Sequence, residues 1–222
     1  MPEEPVCDWP ARVTRAPTAL DLRRTRTPSP LALDRASWHV TGMAKLYFNY
    51  STMNAGKTTV LLQASHNYIE RGMRTLLLTA QLDDRVGVGK IGSRIGLEAP
   101  ASTYRAGDNL FDFIEQRHAA GRLACVFVDE AQFLEAEQVW QLARVADDLG
   151  IPVMCFGLRT DFQGALFPGS AALLAIADNL REVRTICWCG RKATMVVRTG
   201  AGGAVQEEGD QIAIGDDIYV SL

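Results

Sequence analysis

The chain has 222 residues, a hydrophobic fraction of 47%, a charged fraction of 22% and a formal net charge of −3. This is ordinary globular composition, which excludes a chain disordered throughout, a collagen-like chain and a coiled coil. The slightly acidic balance argues against a general nucleic-acid binder, and no apolar run approaches the ~18 residues of a membrane helix.

Residues 1–42 differ from the rest. They hold Pro2, Pro5, Pro10, Pro17, Pro28 and Pro30, six of the nine prolines, and six arginines from Arg12 to Arg35 without a lysine. Such a segment cannot bury enough apolar surface to offset the entropy of ordering it, so it is expected to be a disordered extension. Glu3, Glu4 and Asp8, with no apolar run behind them, argue against a secretory signal, and the acids also argue against an Arg-rich transit peptide. Met43 opens the first convincing strand and is a candidate translation start.

From Lys45 strands and helices alternate. Leu46–Tyr50 reads as a strand, and Thr58–Arg71 as a helix with apolar residues at Val60, Leu61, Ala64 and Tyr68, closed by Gly72. Thr75–Ala80, Ala124–Val128 and Val153–Gly157 read as apolar strands, and Glu135–Leu149 as an amphipathic helix closed by Gly150 and Pro152. Strands apolar on both faces between helices predict an α/β fold with a mostly parallel sheet covered on both sides. Asp83–Gly107, with Gly87, Gly89, Gly92 and Gly96, reads as a long functional or mobile loop. After Leu180 the alternation stops. Val183–Ile186, Ala193–Arg198, Gln211–Ile214 and Ile218–Ser221 look like short strands of a small β appendage, with a turn at Thr199–Gly203. The division is therefore 1–42, 43–180 and 181–222.

The first strand runs into Ser51, Thr52, Met53, Asn54, Ala55, Gly56, Lys57 and Thr58. This is the phosphate-loop pattern G-x-x-x-x-G-K-[ST] with Ser51 at the first glycine position. Backbone N–H groups at the following helix N-terminus would cradle phosphates. Gly56 permits close approach, Lys57 brings charge to the outer phosphates, and the Thr58 hydroxyl is a Mg²⁺ ligand. The bland alternative is a chance Gly-Lys-Thr at a helix start. The strand before it and the helix after it favour the loop.

The strand Ala124–Val128 ends in Asp129, Glu130, Ala131, Gln132 and Phe133. Asp129 would hold Mg²⁺, directly or through water, and Glu130 would take a proton from the nucleophile. Acids at a helix N-terminus, favoured by its dipole, are the alternative. If Glu130 activates water the protein is an ATPase; if it activates a substrate hydroxyl it is a kinase. The size of the chain suits a small-molecule kinase.

Met53-Asn-Ala-Gly-Lys-Thr58, Asp129-Glu-x-Gln-Phe133, Gly157-Leu-Arg-Thr-Asp-Phe162 and Thr185-Ile-Cys-Trp-Cys-Gly-Arg-Lys192 together resemble the bacterial type II thymidine kinases, from Met43 to the last residue. The resemblance implies a P-loop, RecA-like parallel sheet with a C-terminal zinc-ribbon-like lasso appendage. It implies transfer of the γ-phosphate of ATP to the 5′-hydroxyl of thymidine in nucleoside salvage, with Mg²⁺, in a cytoplasmic homotetramer without nucleic-acid or membrane partners. By motif, Ser51–Thr58 with Asp129, Glu130, Ala131 and Gln132 would hold ATP, and Glu130 would be the base. Asp83 and Arg85 would lie near the sugar hydroxyls and the transferred phosphate. Met53, Leu158, Phe162 and Phe167, with Gln132, would line the base pocket. Gln211, Ile212, Ala213, Ile214 and Gly215 with Tyr219 would form the lasso, whose backbone groups can read the edge of a thymine.

Cys187 and Cys189 look like the first half of the family's structural zinc site. The family's second pair would follow the strand that here ends at Leu222, so zinc is expected to be incomplete in this chain. The competing functions are a phosphate-loop ATPase that uses Glu130 on water, and a catalytically impaired nucleotide-binding relic.

Overall fold

The computed structural model describes residues 43–82, 87, 89–200, 204–209, 211 and 219–222. The expected extension 1–42, and Asp83, Arg85, Ile212, Ala213, Ile214 and Gly215, lie outside the described residues.

Strand β1 (Leu46–Ser51) enters the phosphate loop, and helix α1 (Lys57–Glu70) leaves it. Gly56 caps α1 at φ 77°, and Gly72 follows it at φ 72°, a left-handed position that glycine takes without a Cβ clash. Strand β2 (Arg74–Ala80) follows. The segment expected to be one long loop contains a two-stranded antiparallel hairpin, β3 (Lys90–Gly92) with β4 (Glu98–Pro100). Next comes β5 (Ser102–Tyr104), which pairs in parallel with β2. Three-residue strands are too short to show a hydrophobic period, so this structure was masked by its glycines.

Helix α2 (Leu110–Ala119) precedes β6 (Leu123–Val128). Asn109 caps α2, its side chain accepting from the Asp112 N–H. A 3₁₀ turn, Ala131–Phe133, joins β6 to α3 (Ala136–Leu149), which starts with a Glu135–Gln138 capping box and stops at Gly150, φ 65°. Then come β7 (Val153–Leu158), α4 (Pro168–Ile176) and β8 (Asn179–Glu182). Val183–Ile186 is not the expected strand: β8 stands just before it and pairs in parallel with β1, while Ile186 makes only an isolated bridge to Lys192. The polar sequence of β8, Asn-Leu-Arg-Glu, suits a sheet edge and hides it from a search for apolar runs.

The main sheet has the order β5-β2-β6-β7-β1-β8, with every pairing parallel. Its core packs Phe48, Leu78, Val126 and Val128 against Leu134, Val139 and Leu142 on one face. On the other, Leu61 and Leu62 of α1 and the hairpin residue Ile91 pack with Leu77, Phe127 and Phe156 of the sheet. The appendage is a three-stranded antiparallel sheet, with β9 (Val196–Thr199) between β10 (Val205–Gln206) and β11 (Tyr219–Ser221).

A parallel sheet puts all its strand carboxyl ends on one edge, where ligands of open α/β sheets bind. Here that edge carries Ser51, Ala80, Val128 and Leu158. The 3₁₀ turn is wedged into it. A Cβ on Gly157 would meet Gln132 Oε1 at 2.8 Å and the Gln132 backbone nitrogen at 3.0 Å. A Cβ on Gly169, at the start of α4, would meet the carbonyl oxygens of Ala131 and Leu134, each at 2.6 Å. Backbone atoms cannot rotate away, so Gly169→Ala is expected to cost about 1–3 kcal/mol, the ordinary penalty of overpacking. Denaturant titration measures the loss. Activity should fall further than stability explains, because the turn that shifts carries Gln132.

Candidate active site

A cavity of about 440 Å³ opens at the carboxyl edge of the sheet, within the range of small-ligand sites. One wall is the phosphate loop and the first turn of α1, Met53 to Thr59. Asp129, Glu130 and Gln132 after β6 also line the cavity, as do the apolar side chains Phe133, Leu158, Phe162 and Phe167. The hairpin segment contributes Ile91 to Ile95, and the appendage contributes Val196, Gln211 and Tyr219.

Most residues singled out by sequence therefore meet in one place. Ser51 and Thr52 do not line the cavity: they are buried behind it, Ser51 in register with Leu158 at the end of β1. Ala131 is also buried, inside the 3₁₀ turn. Thr59, Thr79, Leu82, Thr160, Asp161, Val196 and the hairpin residues Gly92, Ser93 and Arg94 line the cavity and were missed. For the hairpin residues alone there is a sequence signal, in the Lys90–Pro100 segment, where Ser93 and Gly96 mark a turn between two short runs.

Lys57 Nζ donates to the Thr52 carbonyl at 2.7 Å, folding the ammonium back over the loop. Asp129 is buried and hydrogen-bonded to Thr58. Burial, and then the negative charge of Glu130, push its carboxyl up to about 7, against the lowering effects of the Thr58 bond and the Lys57 charge. The Asp129 Oδ1 also accepts from the Glu130 N–H at 3.1 Å.

Glu130 is half-buried and sits at φ 50°, ψ 40°. A left-handed backbone at a residue with a side chain is strained and persists only where its surroundings hold it. Here Tyr104 Oη donates to the Glu130 carbonyl at 3.0 Å, from a buried ring at the end of β5. The Gln132 amide fixes the carboxylate: Nε2 donates to Glu130 Oε2 at 2.6 Å, and Oε1 accepts from the Leu158 N–H at 3.0 Å. Burial first, then nearby Cys155, Glu130 and Asp129, push the Tyr104 phenol well above its ordinary value, so it remains a donor.

Phe133 and Phe167 pack edge to face with centroids 6.1 Å apart. The Arg198 guanidinium stacks 4.0 Å from the ring centroid of Phe162. Asp161 Oδ2 accepts from Gln211 Nε2 at 2.9 Å, tying the appendage to the loop after β7.

Cys187 and Cys189 share one tight turn, in which the Gly190 N–H donates to the Cys187 carbonyl at 2.9 Å. The hydrogen bond from the Arg191 backbone, then the one with Cys187, holds the Cys189 thiol below its ordinary value. Among the described residues no group of three or more His, Cys, Asp or Glu side chains is placed to hold a metal. Two thiolates do not make the closed four-ligand set of a structural zinc. The oxygen pair Thr58 and Asp129 does fit a hard divalent cation, since a buried carboxylate beside a hydroxyl is relieved by positive charge.

The parallel sheet, the phosphate loop and the paired acids define a phosphate-loop nucleotide-binding protein. The sequence pattern of the thymidine kinase family matches residues 44–222, and the chain belongs to that family. It is 68% identical to a thymidine kinase of Jannaschia sp. over 181 residues, which cover 81% of this chain and 93% of that protein. It is 68% identical over 180 residues to one of Mesorhizobium japonicum, covering 81% of this chain and 89% of the relative. For a thymidine kinase of Shewanella oneidensis the identity is 59% over 181 residues, covering 81% of this chain and 94% of the relative.

The raised Asp129 carboxyl makes a signed prediction. A carboxyl with its folded pKa near 7 and an unfolded value of 3.8 binds its proton better when folded, so stability falls as pH rises through that window. In metal-free protein, Asp129→Asn is therefore expected to raise the thermal midpoint at pH 8, with the gain shrinking toward pH 4. The same variant should lose at least ~10-fold in activity, since removing even an outer partner of a metal ligand costs about 10–100-fold. A metal-free midpoint at pH 8 lower than that of the wild type would contradict this account of the carboxylate.

Proposed function

We infer that the protein is a thymidine kinase, transferring the γ-phosphoryl group of ATP to the 5′-hydroxyl of thymidine. The observation that carries this reading is one cavity lined together by the phosphate loop, by the apolar side chains Phe133, Leu158, Phe162 and Phe167, and by Glu130. A donor with phosphates suits the loop and a flat acceptor base suits the apolar side chains, and the Glu130 carboxylate would then serve the acceptor hydroxyl where it meets the γ-phosphate.

The loop from Ser51 to Thr58, with Ala131 packed beneath the acidic turn, would shape the ATP site, and Lys57 would swing from the Thr52 carbonyl to the outer phosphates. Thr58 and Asp129 would hold Mg²⁺, which when bound neutralises developing charge on the phosphate oxygens. Glu130 would accept the 5′-hydroxyl proton while the 5′-oxygen bonds to the γ-phosphorus. The bond from that phosphorus to the bridging oxygen breaks, and ADP leaves. Gln132 would hold the Glu130 carboxylate in that position. Met53, Leu158, Phe162 and Phe167 would enclose the base, with Gln211 and Tyr219 closing over it.

Asp83 and Arg85 are assigned to the sugar and transferred phosphate, and Ile212, Ala213, Ile214 and Gly215 to the lasso, on the family resemblance. The same resemblance supports a homotetramer and the division at residues 180 and 181. The free thiols of Cys125, Cys155, Cys187 and Cys189 support a reducing, cytoplasmic location. No helix among the described residues is long and apolar enough to cross a membrane. No step is assigned to zinc.

Thymidine-dependent release of ADP tests the reading and separates it from water-activating ATPase activity. Lys57→Ala is expected to lower kcat/KM at least 100-fold, about 2.7 kcal/mol, because it removes charge that matters most in the transition state. A variant that stays near wild type would sink the phosphate-loop assignment. Glu130→Gln keeps the shape and removes the base, so kcat should fall ~10²–10⁴-fold while both substrates still bind by calorimetry. Loss of thymidine binding with normal turnover per bound complex would make Glu130 a binding residue instead.

A further inference from the structure

Three successive carbonyls of the phosphate loop each have a donor. The Thr52 carbonyl accepts from Lys57 Nζ at 2.7 Å. The Met53 carbonyl accepts from Ser221 Oγ at 2.6 Å and, more weakly, from Thr52 Oγ1 at 3.3 Å, and the Asn54 carbonyl accepts from Thr185 Oγ1 at 3.5 Å. Two of these four donors come from the C-terminal segment, more than a hundred residues further along the chain.

The direction of these carbonyls sets the direction of the amides. In a trans peptide the C=O of one residue and the N–H of the next point opposite ways, and no described peptide is cis. Drawing the Met53 carbonyl toward Ser221 therefore aims the Asn54 N–H away from it. Asn54 stands at φ 60° and Gly56 at φ 77°, and left-handed residues of this kind turn successive N–H groups into an anion-binding concavity. Asn54 carries a side chain, so its positive φ needs outside support. The buried Ser221 hydroxyl supplies part of it.

Ser221 lies on β11, in register with Val196 of β9. The period of a strand places Tyr219 on the same face, and both Tyr219 and Val196 line the cavity. One short strand thus touches the nucleoside wall at one residue and grips the phosphate loop two residues later.

We propose that Ser221 is a positioning residue that couples the two substrates: its bond to the Met53 carbonyl lets acceptor binding at Tyr219 set the phosphate loop for ATP. This rests on the reading that thymidine seats against Tyr219. Coupling of this kind favours donor binding when an acceptor is present, and so restrains transfer of phosphate to water.

The test uses the full chain, thymidine, Mg²⁺ and the non-hydrolysable imido analogue of ATP. Calorimetry on the wild type should show thymidine tightening the analogue by about fivefold or more, the lower end of ordinary coupling. The analogue should tighten thymidine by the same factor, because linkage is reciprocal. Ser221→Ala should bring the factor below about twofold while leaving the affinity for thymidine alone near wild type. Ser221→Thr keeps the hydroxyl and should restore the coupling. A merely structural serine would instead weaken both substrates together and leave their coupling intact. Should Ser221→Ala fail to fold, hydrogen exchange on the wild type decides: thymidine alone should slow exchange of the amides from Met53 to Thr58. Unchanged exchange there, an uncoupled wild type, or full coupling in Ser221→Ala overturns the proposal. A wild type that phosphorylates thymidine without coupling sinks only this inference. One that does not phosphorylate thymidine sinks the proposed function itself.

Discussion

The buried carboxylate of Asp129 is the constraint around which the site is arranged. Burial and the neighbouring Glu130 both oppose its charge, and only the Thr58 hydroxyl, the Glu130 N–H and the Lys57 ammonium favour it. A fold seeking stability alone would place an amide or an apolar side chain there. The carboxylate makes sense if positive charge arrives with the substrate, because a cation held between Thr58 and Asp129 removes the penalty that the metal-free state carries. The position of β6 makes the arrangement feasible. β7 separates β6 from β1, so the acidic turn meets the phosphate loop across a single intervening strand.

Glu130 shows a second cost accepted for geometry. Its left-handed backbone is disfavoured, yet the structure fixes it from several sides. Tyr104 holds its carbonyl, Asp129 its N–H, and Gln132 its carboxylate. Gly157 and Gly169 let the sheet and α4 close against the 3₁₀ turn with no room for a Cβ. A carboxylate that must meet a hydroxyl at hydrogen-bonding distance gains from such restraint, because misplacement by about an ångström can cost two orders of magnitude in rate.

Parts of this were legible in the sequence for physical reasons. β1, the phosphate loop and α1 announce themselves because phosphate binding demands particular residues at fixed spacing. β6 and Asp129-Glu130 stand out because an apolar strand ending in two acids is unusual. Other parts carry no such signature. α2 is short, its large apolar residues confined to Leu110–Ile114 behind the Asn109 cap, and β8 is a polar edge strand. The β3–β4 hairpin hides in a glycine-rich run whose strands are too short for periodicity. The hairpin lines the cavity, so the same shortness concealed Ser93 and Arg94 as site residues. Tyr104 was silent for another reason: nothing local marks a tyrosine whose partner lies 26 residues away on a different strand.

Chain order and spatial order differ most at the C-terminal end, and that difference bears on how two substrates share one cavity. The phosphate loop comes first in the folded region and β11 last, yet Ser221 and Met53 are hydrogen-bonded. Loop-closure entropy rises only slowly with separation, so a tie across 168 residues costs little more than a shorter one once the sheet is formed. Such a tie can do what a local contact cannot. The Lys57 bond to the Thr52 carbonyl lies within the loop and is present whether or not an acceptor has bound. The Ser221 bond depends on the docking of β11, and β11 carries Tyr219 into the acceptor side of the cavity. In the proposed kinase the phosphate loop is therefore held both by contacts within the loop that are indifferent to the acceptor and, through Ser221, by one that responds to it. That asymmetry is what allows a binding event at the base to reach the phosphates through a strand of three residues.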